Sequence, residues 1–571
     1  MNKSLKIFLF LAGLAVAAFF IFFRLALADP LTDEVEIAFR SLGYMDFLAT
    51  PFQTTPYEWF ASAPGWAKLS FHDHPPLVFL IQHGFFRLFG DSLFVLRLPF
   101  ALAGLFSIIF IFLLARQLFD DKTAFWAIVF AAVNTYLAWI SRMGLQEIFV
   151  IAVTLFGFWA LLKSPGKERF LLVWGAALGL AGLIKYTALF VLLPVSAAIF
   201  FWAFPGRAIF KSRFFWWALG IFLAIFSPVI VYNLGMFSSA GHFDVQLASF
   251  LGQKTSHWPM LLGKQTGSLV FRVKTFLPNL FQNASPVFFG IYLLSLLAFA
   301  VRLVWKIRKK IEILLGEKFL FCALIVVHLL IILVGPSQRF LALLVPYVLI
   351  LAAYLVSLGF AWLNLVSRKL FFILLLAVLA YEGFYNFQTN HAVAAKGEPP
   401  WNFSRLRYES SAWGYNSLES YLKETLDVYH PKVKLGLPQQ LQFIEQFRAK
   451  DFRNLKDQPA RAFLIVYDPR LNQVAKLWLY DRRYYYDGWP FVSADEYAVI
   501  RQKLPGYFKD LGIEEYFYIA ASDDLFTGGN TADSAAAGKI NQSLAGFQPV
   551  KILTDPAGQP TFSIYRFSEG F

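Results

Sequence analysis

Apolar runs close to the length of a membrane span recur along the first two thirds of the chain. A helix needs about 20 apolar residues to cross the hydrocarbon core of a bilayer. The pattern predicts a polytopic α-helical membrane protein with about 11–13 spans, the range depending on a shorter run at 76–90 that is re-entrant, interfacial or a short span. The other predicted spans are 7–23, 95–118, 123–140, 145–162, 170–184, 187–204, 214–234, 286–304, 319–335, 340–361 and 370–387.

Lysine and arginine concentrate in alternate connections between these runs. The positive-inside rule places such connections in the cytoplasm. The N-terminus is then cytoplasmic, and the segments 29–75 and 235–285 are the two large external loops. The basic connections are "RQLFDDK" (116–122), "KSPGKER" (163–169), "GRAIFKSR" (206–213), "RLVWKIRKK" (302–310) and "SRK" (367–369).

The polar remainder of the chain reads as a separate domain. We predict a transmembrane domain over 1–390 and an extracytoplasmic α/β domain over 391–571. An aromatic stretch, "YDRRYYYDGWPF", leaves open that this domain is a sensor that stacks a sugar. Its predicted elements are an amphipathic helix at 416–429, buried strands at 461–468 and 514–521, and a hairpin at 550–567.

Composition supports the membrane assignment and excludes some partners. Hydrophobic residues make up 58% of the chain and charged residues only 15%, where a soluble domain has about a quarter charged. The formal charge of +14 resides largely in the short connections, so we predict no nucleic-acid partner. The single cysteine, Cys322, lies in an apolar run and predicts neither a disulfide nor a thiolate metal site.

Titratable residues stand at the external ends of the predicted spans, where charge is costly unless it is solvated or paired. Asp33 and Glu34 follow the first span, and Asp73 and His74 precede Pro75-Pro76, a pair that suits a helix start. The other candidates on the same face are Arg142, Glu147, Lys185, His242 and Arg339.

These residue types together suit transfer of a group from a lipid phosphate. Arginine and lysine bind phosphate, arginine in a forked geometry. A carboxylate can take the proton of an acceptor hydroxyl as general base. Because phosphate is already a weakly basic leaving group, the reaction does not need the carboxylic acid that glycosidases use.

The ordered motifs resemble the GT-C membrane glycosyltransferases, among them protein O-mannosyltransferases and bacterial lipid A aminoarabinose transferases. The resemblance covers 1–390 and rests on Asp33-Glu34, "HDHPPL", "RLPFALAGL" (97–105), "GLIKYTALF" and "QRFLALLVPY". It implies that Asp33 is the catalytic base with Glu34 beside it. It further implies donor-phosphate or sugar-binding roles for Asp73, His74, Arg142, Glu147, Lys185 and Arg339, and His242 of the external loop is added to this group. His74 departs from the lysine of the aminoarabinose transferases.

The resemblance implies an inverting glycosyltransferase, hexosyl or pentosyl, in the bacterial plasma membrane. Its expected partners are a polyprenyl-phosphate-linked sugar, membrane lipid, and an external acceptor that is a protein, a lipid or a glycan. We expect no cofactor, although a divalent metal stays possible because aspartate and histidine are ligands. The alternatives are a polymerase or ligase of cell-surface glycans, and a transporter whose intramembrane charges line a pathway.

Overall fold

The computed structural model describes residues 3–48, 53–204, 209–255, 267–392, 404–409, 412–437, 439–445, 458–522 and 534–568. Up to residue 392 the regular elements of the described residues are helices. The helices are α1 (Lys3–Phe22), α2 (Glu34–Gly43), α3 (Pro56–Trp59), α4 (Leu77–Phe89), α5 (Leu93–Leu118), α6 (Asp121–Val133), α7 (Thr135–Arg142), α8 (Glu147–Lys163), α9 (Phe170–Ile184), α10 (Tyr186–Ala203), α11 (Arg213–Ala240), α12 (Val245–Phe250), α13 (Leu269–Asn283), α14 (Pro286–Arg308), α15 (Leu315–Val334), α16 (Gln338–Leu341), α17 (Val345–Trp362) and α18 (Leu365–Asn390).

Among the described residues, eight helices are long and apolar enough to cross a membrane. The number is nine if α6 and α7, which meet at a bend of 60°, form one broken span. This number is below 11 because α4, α8 and α9 are apolar helices of only 13, 17 and 15 residues. The predicted class, a polytopic helical membrane protein, is confirmed.

Small residues let the helices of the bundle approach closely. A side chain on Gly175 of α9 would place its Cβ 2.3 Å from the Ala218 carbonyl oxygen of α11, so only glycine fits there. A Cβ on Gly104 of α5 would likewise come within 2.2 Å of the Ser141 hydroxyl. Close approach of backbones is the usual basis of helix packing in membranes, and here it fixes α5 and α7 beside the site described below.

The C-terminal part contains the strands. Its helices are α19 (Leu406–Glu409), α20 (Tyr415–Leu426), α21 (Gln473–Lys476), α22 (Ala494–Lys503), α23 (Tyr507–Asp510) and α24 (Ala535–Leu544). Its strands are β1 (His430–Pro431), β2 (Ala460–Arg461), β3 (Phe463–Tyr467), β4 (Phe491–Ser493), β5 (Glu515–Ala521), β6 (Lys551–Thr554) and β7 (Pro560–Phe567).

Five of these strands form one sheet in the order β4-β3-β5-β7-β6. β3 is parallel to β4 and β5, and β7 is antiparallel to β5 and β6. Helices accompany this mixed sheet, which confirms the predicted α/β region and its two buried strands.

The sheet region is attached to the segment that follows α1. Asp29 is fully buried and accepts hydrogen bonds from the backbone N–H groups of Trp413, Tyr415 and Asn416. The Tyr486 hydroxyl donates to the Phe39 carbonyl oxygen of α2 at 2.6 Å. The sheet therefore lies at the end of the bundle where α1 finishes.

The opposite end of α1 lies among basic connections. Lys6 contacts Asp121, which brings the start of α1 to the 116–122 connection. The start of α1 therefore lies beside one of the predicted basic connections. Which end faces the cytoplasm stays a prediction.

Candidate active site

Four charged residues from distant parts of the chain meet at the end of the bundle that carries the sheet. Asp33 stands immediately before α2, with its side chain 53% exposed, and contacts Arg339 of α16. Arg339 Nε lies 3.9 Å from Glu147 Oε1. Lys185 Nζ donates to the same Glu147 oxygen at 2.6 Å. We call these four residues the Asp33 cluster, which contains two carboxylates and two cations.

Helix ends position the buried members of the Asp33 cluster. Glu147 is the first residue of α8, and Lys185 is a single extended residue between α9 and α10. Both side chains are at most 3% exposed. The Lys185 ammonium also lies 5.3 Å from the centre of the Phe340 ring, next to Arg339. Such buried charges stay together because separating them would leave one unpaired in an apolar surrounding.

A cavity of about 290 Å³ opens beside Asp33 and Arg339. Its lining is mostly polar, with two arginines, one carboxylate, three amide side chains and two hydroxyl side chains. The lining residues are Thr32, Asp33, Leu145, Asn279, Asn283, Pro336, Ser337, Gln338, Arg339 and Arg405. The exposed carboxylate of Asp33 is therefore accessible from a space that can hold a small polar ligand.

Glu34, adjacent in sequence to Asp33, points away from this space. Its side chain is fully buried, and its two oxygens accept from Arg97 Nη2 at 2.6 Å and Arg97 Nε at 3.0 Å. The Gly144 N–H donates to the second oxygen at 2.8 Å. A Cβ on Gly144 would come 2.8 Å from Glu34 Cβ, so this approach requires glycine. The structure does not support a catalytic Glu34, because burial and Arg97 keep its carboxylate from a substrate; it ties the first loop to α5 and the α7–α8 turn.

Asp73 and His74 belong to a second group of charges, the Asp73 cluster, formed by Arg40, Asp46, His72, Asp73 and His74. Arg40 binds Asp73 through two hydrogen bonds of 2.8 and 3.3 Å, and His74 Nδ1 lies 3.0 Å from Asp73 Oδ2. His72 Nδ1 lies 2.7 Å from Asp46. Burial opposes the charge on Asp73, but Arg40 and the two histidines hold its pKa well below the usual value.

The two clusters lie on neighbouring turns of the same helix face. Asp33, Glu36 and Arg40 are spaced by three and four residues along α2, which places them on one side of a helix. Burial, followed by the charges of Asp33 and Asp73, raises the pKa of Glu36. Charges of both clusters therefore contribute to the shift in the pKa of Glu36.

Asp46, His72 and Asp73 are the described residues whose ligand atoms lie close enough together for a metal ion, within 4.8 Å. Arg40 lies 2.8 Å from Asp73 and 3.5 Å from Asp46. Its guanidinium pairs with both carboxylates and so competes with a cation for their oxygens. This group therefore carries no metal proposal.

Two candidates from the sequence lie outside both clusters. Arg142 donates to the backbone carbonyl oxygens of Ile21, Phe23 and Arg24 at 2.7–2.9 Å, and so caps the end of α1. His242 is buried, with Nδ1 2.8 Å from the Phe243 carbonyl oxygen. In the structure both side chains contact the protein's own backbone, and their roles in donor binding stay predictions.

Sequence reasoning missed Arg97, Arg40 and the asparagines of α13. Arg97 was part of a motif, "RLPFALAGL", but nothing in the pattern indicated its buried partner. Asn279 and Asn283 lie in a segment predicted only as a loop, 235–285, which in fact contains α12 and α13. The spacing of four residues between these two asparagines was the available signal of a helix in this segment.

Comparisons with known proteins show what this chain is similar to. Residues 73–232 match the family described as dolichyl-phosphate-mannose-protein mannosyltransferase. The structure of ArnT from Cupriavidus metallidurans in the apo state aligns with 99% of this chain and 98% of its own, at 12% identity and a TM-score of 0.50. The same protein bound to undecaprenyl phosphate gives a TM-score of 0.51 at 13% identity, with the same coverage. No curated protein sequence matches. At this identity the structural likeness concerns the fold.

Proposed function

We propose that this chain, which has the fold of the GT-C membrane glycosyltransferases, transfers a sugar from a polyprenyl-phosphate donor to an acceptor on the external side of the plasma membrane. The observation that carries the proposal is the contact of Asp33 with Arg339 at the wall of a polar cavity, backed by Glu147 and Lys185. A candidate base and two candidate phosphate ligands thus occupy one site.

Arg339 is the main ligand that we assign to the donor phosphate, with Lys185 behind it. A guanidinium binds phosphate oxygens in a forked geometry. A phosphate at Arg339 competes with Asp33 for the same guanidinium, since the two anions need the same donors. Donor binding thereby releases the Asp33 carboxylate from Arg339 and makes it available to the acceptor hydroxyl. The general base is then free when the donor is bound.

The proposed step is a single displacement. The acceptor oxygen forms a bond to the anomeric carbon as the bond from that carbon to the phosphate oxygen breaks. The phosphate leaves with the bonding electron pair, and Asp33 takes the proton of the acceptor hydroxyl. Attack opposite the leaving group inverts the anomeric configuration.

The donor class is supported by the comparisons. The mannosyltransferase family that matches residues 73–232 is described by a dolichyl-phosphate sugar, and ArnT is described with undecaprenyl phosphate. The transporter alternative is less well supported, because the Asp33 cluster lies at helix ends rather than midway along spans. A polymerase or ligase of glycans would use the same step, so the acceptor separates it from the proposed function.

Transfer without a solute gradient tests the proposal. Membrane vesicles with and without this chain are supplied with polyprenyl phosphate carrying a radiolabelled sugar, and the products are analysed by mass spectrometry. We expect label on an acceptor only in vesicles that contain the chain, and unchanged transfer after the vesicles are made leaky. Label that merely crosses an intact membrane, with no new covalent product, would instead identify a transporter.

A further inference from the structure

We propose that the cavity beside Asp33 holds the sugar unit of the donor and that Asn279 and Asn283 of α13 bind its hydroxyl groups. This inference rests on the proposed function and extends it to the residues that bind the sugar.

The cavity has the lining that a sugar requires. Sugars present adjacent hydroxyl groups, each able to donate and to accept, and amide side chains offer both roles in one group. Asn279, Asn283 and Gln338 supply amides, and Thr32 and Ser337 supply hydroxyls. Ligand pockets commonly measure about 300–1,000 Å³. A cavity of about 290 Å³ suits one sugar unit rather than an oligosaccharide.

Asn283 provides the most direct indication of a ligand. Its side chain is only 4% exposed, and its Nδ2 donates to the Asn279 carbonyl oxygen at 2.8 Å. Its Oδ1 accepts no hydrogen bond from the described residues. An unmet buried acceptor costs free energy. Because Asn283 lines the cavity, a rotation of its amide would let a sugar hydroxyl satisfy this acceptor.

α13 is fixed firmly enough to present these amides. Asn279 Nδ2 donates to the Pro336 carbonyl oxygen at 3.0 Å. Arg272, near the start of α13, donates to the Leu333 carbonyl oxygen of α15 at 2.5 Å. Both bonds connect α13 to the segment that leads into Arg339. The amides and the proposed phosphate ligand therefore share one rigid support, as a phosphate-linked sugar requires.

Binding of two lipids tests this inference with the full chain in nanodiscs. The probes are polyprenyl phosphate and polyprenyl-phosphate glucose. We expect the glucose unit to increase the affinity over that of the bare lipid. Asn283→Ala and Asn283→Ser should each lose about five- to tenfold of the glucose increment, the worth of one hydrogen bond, while the affinity for bare polyprenyl phosphate is unchanged.

Gln282→Ala is the matched control, since Gln282 precedes Asn283 on α13 and does not line the cavity. An equal glucose increment in the wild type and both folded Asn283 variants would overturn the sugar site. If instead the bare lipid fails to bind, or binds Arg339→Gln as well as wild type, the proposed function itself fails, whatever the Asn283 variants do.

Discussion

Replacing Glu34 by glutamine tests whether the residue adjacent to the base acts by positioning. Glutamine keeps the shape of the side chain but removes the charge that faces Arg97. Glu34 and Arg97 are 0% and 1% exposed and make two hydrogen bonds. Removing one partner of such a buried pair costs roughly 3–5 kcal/mol. Because Arg97 also donates to the carbonyl oxygens of Leu25 and Ala28, it cannot turn to another anion without breaking those bonds.

We therefore expect Glu34→Gln to lower the free energy of unfolding by a large part of that amount. The variant should also transfer sugar more slowly, because the first loop is no longer held against the α7–α8 turn at Gly144. The assay is thermal unfolding in detergent, together with single-turnover transfer. Glu34→Asp should rescue part of the transfer rate, since it restores the charge.

Glu36→Gln is the matched control for the stability measurement. It makes the same chemical change two residues further along α2, at a partly exposed carboxylate whose pKa is raised by burial, Asp33 and Asp73. Its stability should change by less than about 0.5–1 kcal/mol. Equal stability of the two variants would refute the view that Glu34 and Arg97 tie the loops together.

Three further predictions concern other parts of the molecule. Arg142→Met should lower the unfolding temperature, because it leaves the carbonyl oxygens at the end of α1 uncapped. The affinity of the folded variant for polyprenyl phosphate should be unchanged. A selective loss of lipid affinity would instead support a donor-binding role for Arg142. Burial raises the pKa of Asp29 to about 6, so the folded state binds the proton of this carboxyl group more tightly than the unfolded state. The free energy of unfolding should therefore fall by roughly 3 kcal/mol as the pH rises from about 4 to about 6. Asp29→Asn should remove that pH dependence in denaturation curves, and an unchanged curve would contradict the assignment. Chelators should leave the transfer rate unchanged, because Arg40 pairs with both carboxylates of the one described group of potential metal ligands. Loss of transfer with EDTA and its return with a divalent ion would contradict this.

The sequence pattern was sufficient to bring the Asp33 cluster together. Asp33, Glu147, Lys185 and Arg339 each stand at the end of an apolar run, on the same predicted face. Charges in such places must find partners at that face. The four residues are therefore expected to converge because they share one predicted face of the membrane.

The exact partners could not be obtained in this way. Glu34 and Asp33 are neighbours with the same chemistry, and only the packing of α5 places Arg97 against one of them. Arg142 likewise looks like a phosphate ligand until the end of α1 is placed beside it. The asparagines of α13 were hidden because a sequence with interspersed polar residues and an internal proline reads as a loop, whereas contacts with α15 hold it as a helix.

The most direct test of the account separates donor binding from transfer in two variants. Asp33→Asn should bind polyprenyl-phosphate sugar at least as well as the wild type, yet transfer it about 10²–10⁴-fold more slowly, the usual contribution of a general base. Arg339→Gln should lose affinity for the donor. Glu424→Gln, at an exposed acid of α20 that does not line the cavity, should behave as wild type. Wild-type transfer by Asp33→Asn would contradict the central claim that an acid and a phosphate-binding arginine act in one site.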